Sequence, residues 1–266
     1  MTVSKPIIKK YGTGKPEVVI VGSLHGDELV GSRVIQAIEK YPLQKGTLIT
    51  IIGNPDAIRE KKRFLEEDLN RCFPGNKHGT HEQRLAHQIA PLIRHADYCI
   101  DIHSTTTNTR RAVIIKKKTK EIKKLLFLFK PEHVVIMPKG IGDGSLINFC
   151  KAGISLEYGT HKSRETYKES LRDASIILKK LGMIDSKVEP SKRTTQYYAV
   201  YGTEPKPRGF QMKRSIMNFH AIKKGEVLGI LNGRKVLSQE AFYPILFGAR
   251  AYKDSMGFKA KRVKGL

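Results

Sequence analysis

The chain has 266 residues, of which 39% are hydrophobic and 28% are charged, a composition typical of a globular protein with one large domain or two smaller ones. No apolar run approaches the roughly 20 residues of a membrane span, and the N-terminus lacks the apolar core of a signal peptide. Three cysteines without framework spacing predict reduced thiols. We therefore expect a cytoplasmic protein with no membrane partner.

The formal net charge is +24, which leaves open a nucleic-acid partner, a small anionic substrate or an unusual intracellular milieu. The densest basic clusters are residues 116–118, 123–124 and 259–264. Aromatic residues are not interleaved with them as in a base-stacking surface. This favours a solvated basic surface, and nothing in the sequence fixes the oligomeric state.

Residues 18–21 form a β-branched apolar run that predicts a strand buried on both faces of a parallel sheet. Gly22 interrupts the run, and the period then becomes helical. The apolar positions of this helix are Val30, Val34 and Ile38. Asp27 and Glu28 are expected in its first turn, where acids suit the helix dipole.

His25 therefore lies at the carboxyl end of a strand, where open α/β sheets bind their ligands. An imidazole and a carboxylate three residues apart, His25 and Glu28, suit Zn²⁺ but need a third protein ligand. The alternative for this pair alone is a solvated turn.

A second buried strand is expected over residues 47–52, and residues 61–75 read as a polar loop. Arg63, Asn70 and Arg71 stand close together in this loop, as in a site for a carboxylate. Local ion pairs of the two arginines with neighbouring acids are the alternative. A helix follows from about Thr80, and His81 is expected at its surface.

The strand beginning at Tyr98 brings His103 to the same sheet edge as His25, which makes it the natural third ligand. Asp101 is a candidate to orient a ligand histidine. A later strand over residues 153–160 carries Glu157 within an apolar stretch, where a carboxylate is costly unless paired or functional. Beside a zinc-held water it would serve as general base, and otherwise it would be an edge-strand residue facing solvent.

Strands over residues 112–116 and 133–138 and a helix over 165–182 complete this part of the chain. A polar segment ending near residue 193 then marks a change to short strands separated by turns. We predict two domains, an α/β domain over residues 1–190 and an all-β domain over 191–266.

His25-x-x-Glu28, the Asp68-Leu-Asn70-Arg71-x-Phe73 segment, His103 and Glu157, in this order, resemble the succinylglutamate desuccinylase/aspartoacylase family, which is related to the zinc carboxypeptidases. The resemblance runs through most of residues 17–160 and continues weakly from Tyr243 to Tyr252.

This resemblance implies a mixed, largely parallel sheet with flanking helices and a small C-terminal all-β domain that closes over the site. It implies one Zn²⁺ per chain, held by His25, Glu28 and His103. The roles it implies for other residues are a base and later acid (Glu157), an oxyanion-stabilising arginine (Arg63), a clamp for the substrate carboxylate (Asn70 and Arg71) and a substrate contact (Tyr252).

The expected activity is zinc-dependent hydrolysis of the amide bond of an N-acyl amino acid or similar small carboxylate. A carboxypeptidase or an esterase is an alternative, and a basic nucleic-acid-binding protein with an inactive zinc fold is another. Aspartoacylases carry a further arginine shortly before the catalytic glutamate, where this chain has only Lys151, so N-acetylaspartate is not implied as the substrate.

Overall fold

A computed structural model describes residues 5–107, 109–189, 194–249, 252 and 254–266. The strands within these residues are β1 (Ile7–Thr13), β2 (Glu17–Gly22), β3 (Gly46–Ile52), β4 (Tyr98–Thr105), β5 (Ala112–Ile115), β6 (His133–Ile136), β7 (Gly153–Thr160), β8 (Gln196–Pro205), β9 (Gln211–Met212), β10 (Val227–Leu231), β11 (Arg234–Leu237), β12 (Tyr243–Ile245) and β13 (Ser255–Val263). The α-helices are α1 (Val30–Ile38), α2 (Pro55–Arg59), α3 (His81–His95), α4 (Lys120–Phe129) and α5 (Arg164–Lys180).

Ten strands form one sheet in the order β1-β3-β2-β4-β7-β5-β6-β8-β13-β12. The parallel pairs are β3-β2, β2-β4, β4-β7, β5-β6 and β6-β8. The antiparallel pairs are β1-β3, β7-β5, β8-β13 and β13-β12. The predicted mixed, largely parallel sheet is confirmed. Its central strands β2, β4 and β7 are parallel, so their carboxyl ends lie side by side.

Strand β2 is buried on both faces, as its continuous apolar run predicts. Val18 and Ile20 pack with residues of α1, α4 and α5 on one face. Val19 and Val21 pack with residues of α3 on the other. Helices thus cover both faces of the sheet and hold its strands in register.

The C-terminal part is β-rich, as predicted, and β9, β10 and β11 form a separate small antiparallel sheet. Strands β8, β13 and β12 instead extend the main sheet. The sequence did not reveal β9 or β13, because β13 reads as a basic tail. The predicted boundary at residue 190 lies outside the described residues, and the two-domain division stays a prediction.

Two local predictions are wrong. Helix α1 begins only at Val30, because Glu28 belongs to a turn closed by its own N–H on the carbonyl of His25, 3.1 Å apart. His81 is buried rather than at the surface, and its ring lies 3.3 Å from the side-chain oxygen of Asn54. In the described part of the chain, no helix is both long and apolar enough to cross a membrane.

Candidate active site

The turn after β2 brings His25 and Glu28 together. Gly26 lies so close to Ala57 that an added Cβ would stand 2.1 Å from the carbonyl carbon of Ala57, so the turn requires glycine here. The N–H of Gly26 also donates to the carbonyl of Arg63 at 3.0 Å. The turn and the loop over residues 61–75 are therefore positioned together.

Strands β4 and β7 supply the remaining central groups. They pair in parallel with His103 directly opposite Glu157, so these two side chains emerge next to each other on one face of the sheet. The pairing follows from the apolar sequences of the two strands, which are buried throughout except near their ends. Both side chains therefore reach the same cleft.

His25, Glu28 and His103 form one buried cluster, with an atom from each within 4.8 Å of the others. The Nδ1 atom of His25 lies 2.9 Å from Oε1 of Glu28, and Nδ1 of His103 lies 3.0 Å from Oε2. The N–H of Ser104 also donates to Oε2, at 3.0 Å. Residues 75 positions apart thus converge as the sequence predicted.

Two aspartates fix the orientation of the histidine rings. Nε2 of His25 lies 2.9 Å from Oδ1 of Asp68, and Nε2 of His103 lies 2.7 Å from Oδ2 of Asp101. Each Nε2 atom also lies near a donor: Nη2 of Arg63 is 3.0 Å from that of His25, and Nδ2 of Asn70 is 3.3 Å from that of His103. A ring that gives its Nε2 hydrogen to its aspartate presents the lone pair of Nδ1 to Glu28. Asp101 therefore has the position expected of a residue that orients a ligand histidine.

This arrangement fits a divalent metal ion. In neutral rings that carry their hydrogen on Nε2, two Nδ1 lone pairs would face two carboxylate oxygens at about 3 Å, which is repulsive unless a cation lies among them. Two imidazole nitrogens and a carboxylate form the donor set of a catalytic zinc site. His25, Glu28 and His103 are therefore a possible metal site.

The pKa directions agree with this need for positive charge. Burial alone would lower the pKa of His25 and His103, but the surrounding carboxylates outweigh it and raise both, that of His103 strongly. Burial alone would raise the pKa of Glu28, but the two histidines hold it well below its usual range.

Glu157 has a different environment. Its Oε1 accepts a hydrogen bond from the Ser155 hydroxyl at 3.3 Å. Burial, together with the charges of Glu28 and Asp101, raises its pKa despite the opposing effect of His103. A carboxylate with a raised pKa beside a possible metal site is suited to accept and return a proton.

The loop over residues 61–75 places its polar groups around the cluster. Nη1 of Arg63 donates to Oε1 of Glu28 at 2.9 Å, and its Nη2 donates to Asp68 at 3.3 Å. The predicted local ion pair thus forms for Arg63, in addition to its contact with Glu28. Asn70 accepts from the N–H of Leu146 at 2.9 Å, and Arg71 donates to the carbonyl of Asn70 at 2.7 Å.

Glu82, a residue to which the sequence assigned no function, fastens this loop. The side chain is fully buried and accepts the N–H groups of Leu65, Glu66 and Glu67 at 2.7, 3.1 and 3.3 Å. It also accepts from the amide of Asn54 at 3.1 Å. A buried carboxylate on α3 thus accepts backbone hydrogen bonds that a helix or a strand would otherwise satisfy within the loop.

Tyr252 lines the same cleft as the cluster. Burial and the nearby charge of Glu157 raise its pKa, and its ring packs edge-on against Phe258 with centroids 5.4 Å apart. Lys151 points elsewhere: its side chain is 60% exposed and lies 4.0 Å from Asp97. It does not take the place of the missing arginine.

Every site residue predicted from the sequence lines one cleft. The eight residues are His25, Glu28, Arg63, Asn70, Arg71, His103, Glu157 and Tyr252. The sequence did not reveal the contact of Asp68 with His25 or the role of Glu82. Neither has a spacing signal, because both act across the fold.

The family model described as the Succinylglutamate desuccinylase/Aspartoacylase catalytic domain matches residues 14–181. A probable aspartoacylase from Nostoc sp. is 36% identical over 112 residues, which cover 37% of this chain and 38% of that protein. An N-acyl-aromatic-L-amino acid amidohydrolase (carboxylate-forming) from Xenopus tropicalis is 23% identical over 90% of this chain and 89% of its own length. The chain thus matches well under half the length of the Nostoc relative.

Among solved structures, murine aminoacylase 3 superposes with a TM-score of 0.79 at 20% identity, covering 94% of this chain and 97% of that one. At this level of identity, the likeness shows a shared fold. The family model, which matches more than half of the chain, shows that the chain belongs to the succinylglutamate desuccinylase/aspartoacylase family.

Proposed function

We propose that the protein is a zinc-dependent hydrolase that cleaves the amide bond of an N-acyl amino acid or a similar small carboxylate. The observation that carries the proposal is the convergence of His25, Glu28 and His103, with Glu157 opposite His103 in the sheet. Family membership and the names of the relatives support the same reaction. The proposed setting is the cytoplasm, in keeping with three unpaired, buried thiols.

One zinc ion per chain would be held by His25, Glu28 and His103. When bound, it would supply positive charge that polarises the acyl carbonyl and lowers the pKa of a water molecule. Asp68 and Asp101 would accept the Nε2 hydrogens of the two rings and so leave both Nδ1 atoms available as ligands.

The remaining groups divide the reaction between them. Arg71 and the amide of Asn70 hold the substrate carboxylate and so fix the position of the scissile bond. Arg63, next to Glu28, stabilises the negative charge that develops on the carbonyl oxygen. Glu157 takes a proton from the attacking water and returns it to the leaving amine. Tyr252, which lines the cleft, contacts the substrate.

Replacing Glu157 tests this division of roles. Glu157→Gln should lower kcat by on the order of 10²–10⁴-fold, because the amide cannot accept the proton. It should leave the zinc content unchanged, because the substitution spares all three proposed ligands. A variant that keeps its kcat, or that loses zinc, contradicts the assigned role.

The reaction itself is tested with a panel of N-acetyl and N-succinyl amino acids, dipeptides with a free C-terminus, and small carboxylic esters. The same panel is assayed with the control variant Glu189→Gln, an exposed substitution. We expect the N-acyl amino acids to have the highest kcat/KM. Preferred release of a C-terminal amino acid from dipeptides, or preferred ester cleavage, would favour the carboxypeptidase or the esterase instead.

A further inference from the structure

The cleft has a polar side and an apolar side. The volume within it that is accessible to water is about 120 Å³. The possible metal site, Glu157 and the two loop arginines form the polar side. The apolar side, which we call the apolar wall, consists of Ile114, Met137, Ile141, Ile147, Leu246 and Phe258. The proposed mechanism uses only the polar side.

The positive charges available to a substrate are few. Among the described residues that line the cleft, the arginine and lysine side chains are Arg63, Arg71 and Lys116. Arg63 is paired with Glu28 and Asp68. Of the arginine and lysine side chains described in the cleft, Arg71 and Lys116 therefore remain as partners for a substrate carboxylate.

Lys116 has no donor to spare. Its ammonium group lies 3.0 Å from the carbonyl of Pro138, 2.6 Å from the carbonyl of Ile141 and 2.7 Å from Oδ1 of Asp143. An ammonium group has three N–H donors, and these three acceptors use all of them. Lys116 instead fastens the segment that contributes Met137 and Ile141 to the apolar wall.

Arg71 is the cation that remains. Its guanidinium has five N–H donors, and within the described part of the chain only one of them has a partner, the carbonyl of Asn70. A bidentate contact with a single carboxylate is available to it. The cleft, as far as its residues are described, can therefore neutralise one substrate carboxylate rather than two.

The apolar wall adjoins this clamp. The N–H of Leu146 donates to Oδ1 of Asn70 at 2.9 Å, and the N–H of Phe73 donates to the carbonyl of Gly144 at 3.1 Å. The segment from Ile141 to Ile147 thus lies against the residues that would hold the α-carboxylate. A side chain on the same α-carbon would therefore be held beside this segment.

We propose that the substrates are N-acyl amino acids with a single carboxylate and a large apolar side chain, which packs against the apolar wall. This inference rests on the proposed function. N-acyl derivatives of aspartate or glutamate would bury a second carboxylate against the wall, where the described residues supply no cation to pair with it, and this is costly. Met137 and Ile141 are the specificity-determining residues.

The test compares kcat/KM for N-acetylphenylalanine and N-acetylleucine with that for N-acetylaspartate and N-succinylglutamate, using the zinc-loaded full-length protein. We expect the apolar substrates to be preferred by on the order of 100-fold. An equal or higher kcat/KM for the dicarboxylates overturns the specificity inference and leaves the proposed function standing. If no N-acyl amino acid is hydrolysed, the proposed function fails and the inference fails with it.

A substitution tests the assignment to particular residues. Ile141→Arg places a second cation beside the clamp and should raise the ratio of kcat/KM for N-acetylaspartate to that for N-acetylphenylalanine by about 10-fold or more. Phe127→Arg adds the same charge on α4 at a side chain that is 73% exposed, outside the residues of the cleft, and should leave the ratio unchanged. Thermal unfolding and zinc content of each variant show that it is folded and loaded. An unchanged ratio in a folded, loaded Ile141→Arg variant overturns the residue assignment.

Discussion

At the scale of single residues, the site depends on which nitrogen of each histidine carries the hydrogen. Asp68 and Asp101 lie within hydrogen-bond distance of the Nε2 atoms, and a ring that donates its Nε2 hydrogen to its aspartate turns the Nδ1 lone pair toward Glu28. An imidazole without such a partner spreads its hydrogen over two tautomers and binds a metal less tightly.

Asp101→Asn tests this orientation. The side chain keeps its shape, but the neutral amide is a weaker acceptor for the Nε2 hydrogen of His103 than the carboxylate is. We expect zinc affinity to fall by about 10- to 100-fold, measured by competition with a chelator of known affinity. Glu189→Gln, an exposed substitution 66% open to solvent, serves as the control. Equal zinc affinity in the two variants would show that Asp101 does not support the site.

At the scale of elements, the loop over residues 61–75 carries Arg63, Asn70 and Arg71 but has little regular structure of its own. Within the described chain its one regular stretch is a 3₁₀ turn, Leu69–Arg71. The carboxylate of Glu82 holds the loop by three backbone N–H groups. Helix α3 therefore determines where the loop's functional side chains lie.

Glu82→Gln should loosen this loop, because an amide NH₂ would meet backbone donors that need an acceptor. We expect the free energy of unfolding to fall by roughly 1–3 kcal/mol, measured by denaturant titration. We also expect kcat/KM to fall by about 10-fold or more, because small displacements of substrate-positioning groups are costly. Glu60→Gln, an exposed change near the start of the same loop, should alter neither quantity. A Glu82→Gln variant with unchanged kcat/KM would show that α3 does not position the loop for catalysis.

Elements also show what the sequence could and could not predict. His25, Glu28 and His103 were predictable because strand ends in a parallel sheet meet at one edge, and apolar runs locate those ends. Glu82 was not, because its partners are backbone N–H groups of a loop, which leave no trace in residue types. Strand β13 was missed for a similar reason: its lysines find partners only in the fold, as Lys259 does with Glu204 and Glu240, 3.5 and 2.7 Å away.

At the scale of the whole molecule, one sheet connects the two parts of the chain. Strand β8 pairs with β6, so the C-terminal strands continue the sheet that carries the site. Part of the basic sequence that reads as a tail, including Lys261 and Arg262, lies in β13. The nucleic-acid alternative raised by the charge of +24 stays a prediction, and steeply salt-dependent binding would reveal it.

In the proposed site, His25, Glu28 and His103 hold one catalytic zinc ion. The most direct measurement is the zinc content of the purified protein, followed through removal with a chelator and stepwise return of zinc, with N-acyl amino acid hydrolysis assayed at each step. We expect activity to disappear with the metal and to return in proportion to added zinc, saturating at one ion per chain. We expect His103→Ala neither to bind the ion tightly nor to turn over substrate. Full activity in protein stripped of metal, or saturation without any recovery, would contradict this proposal.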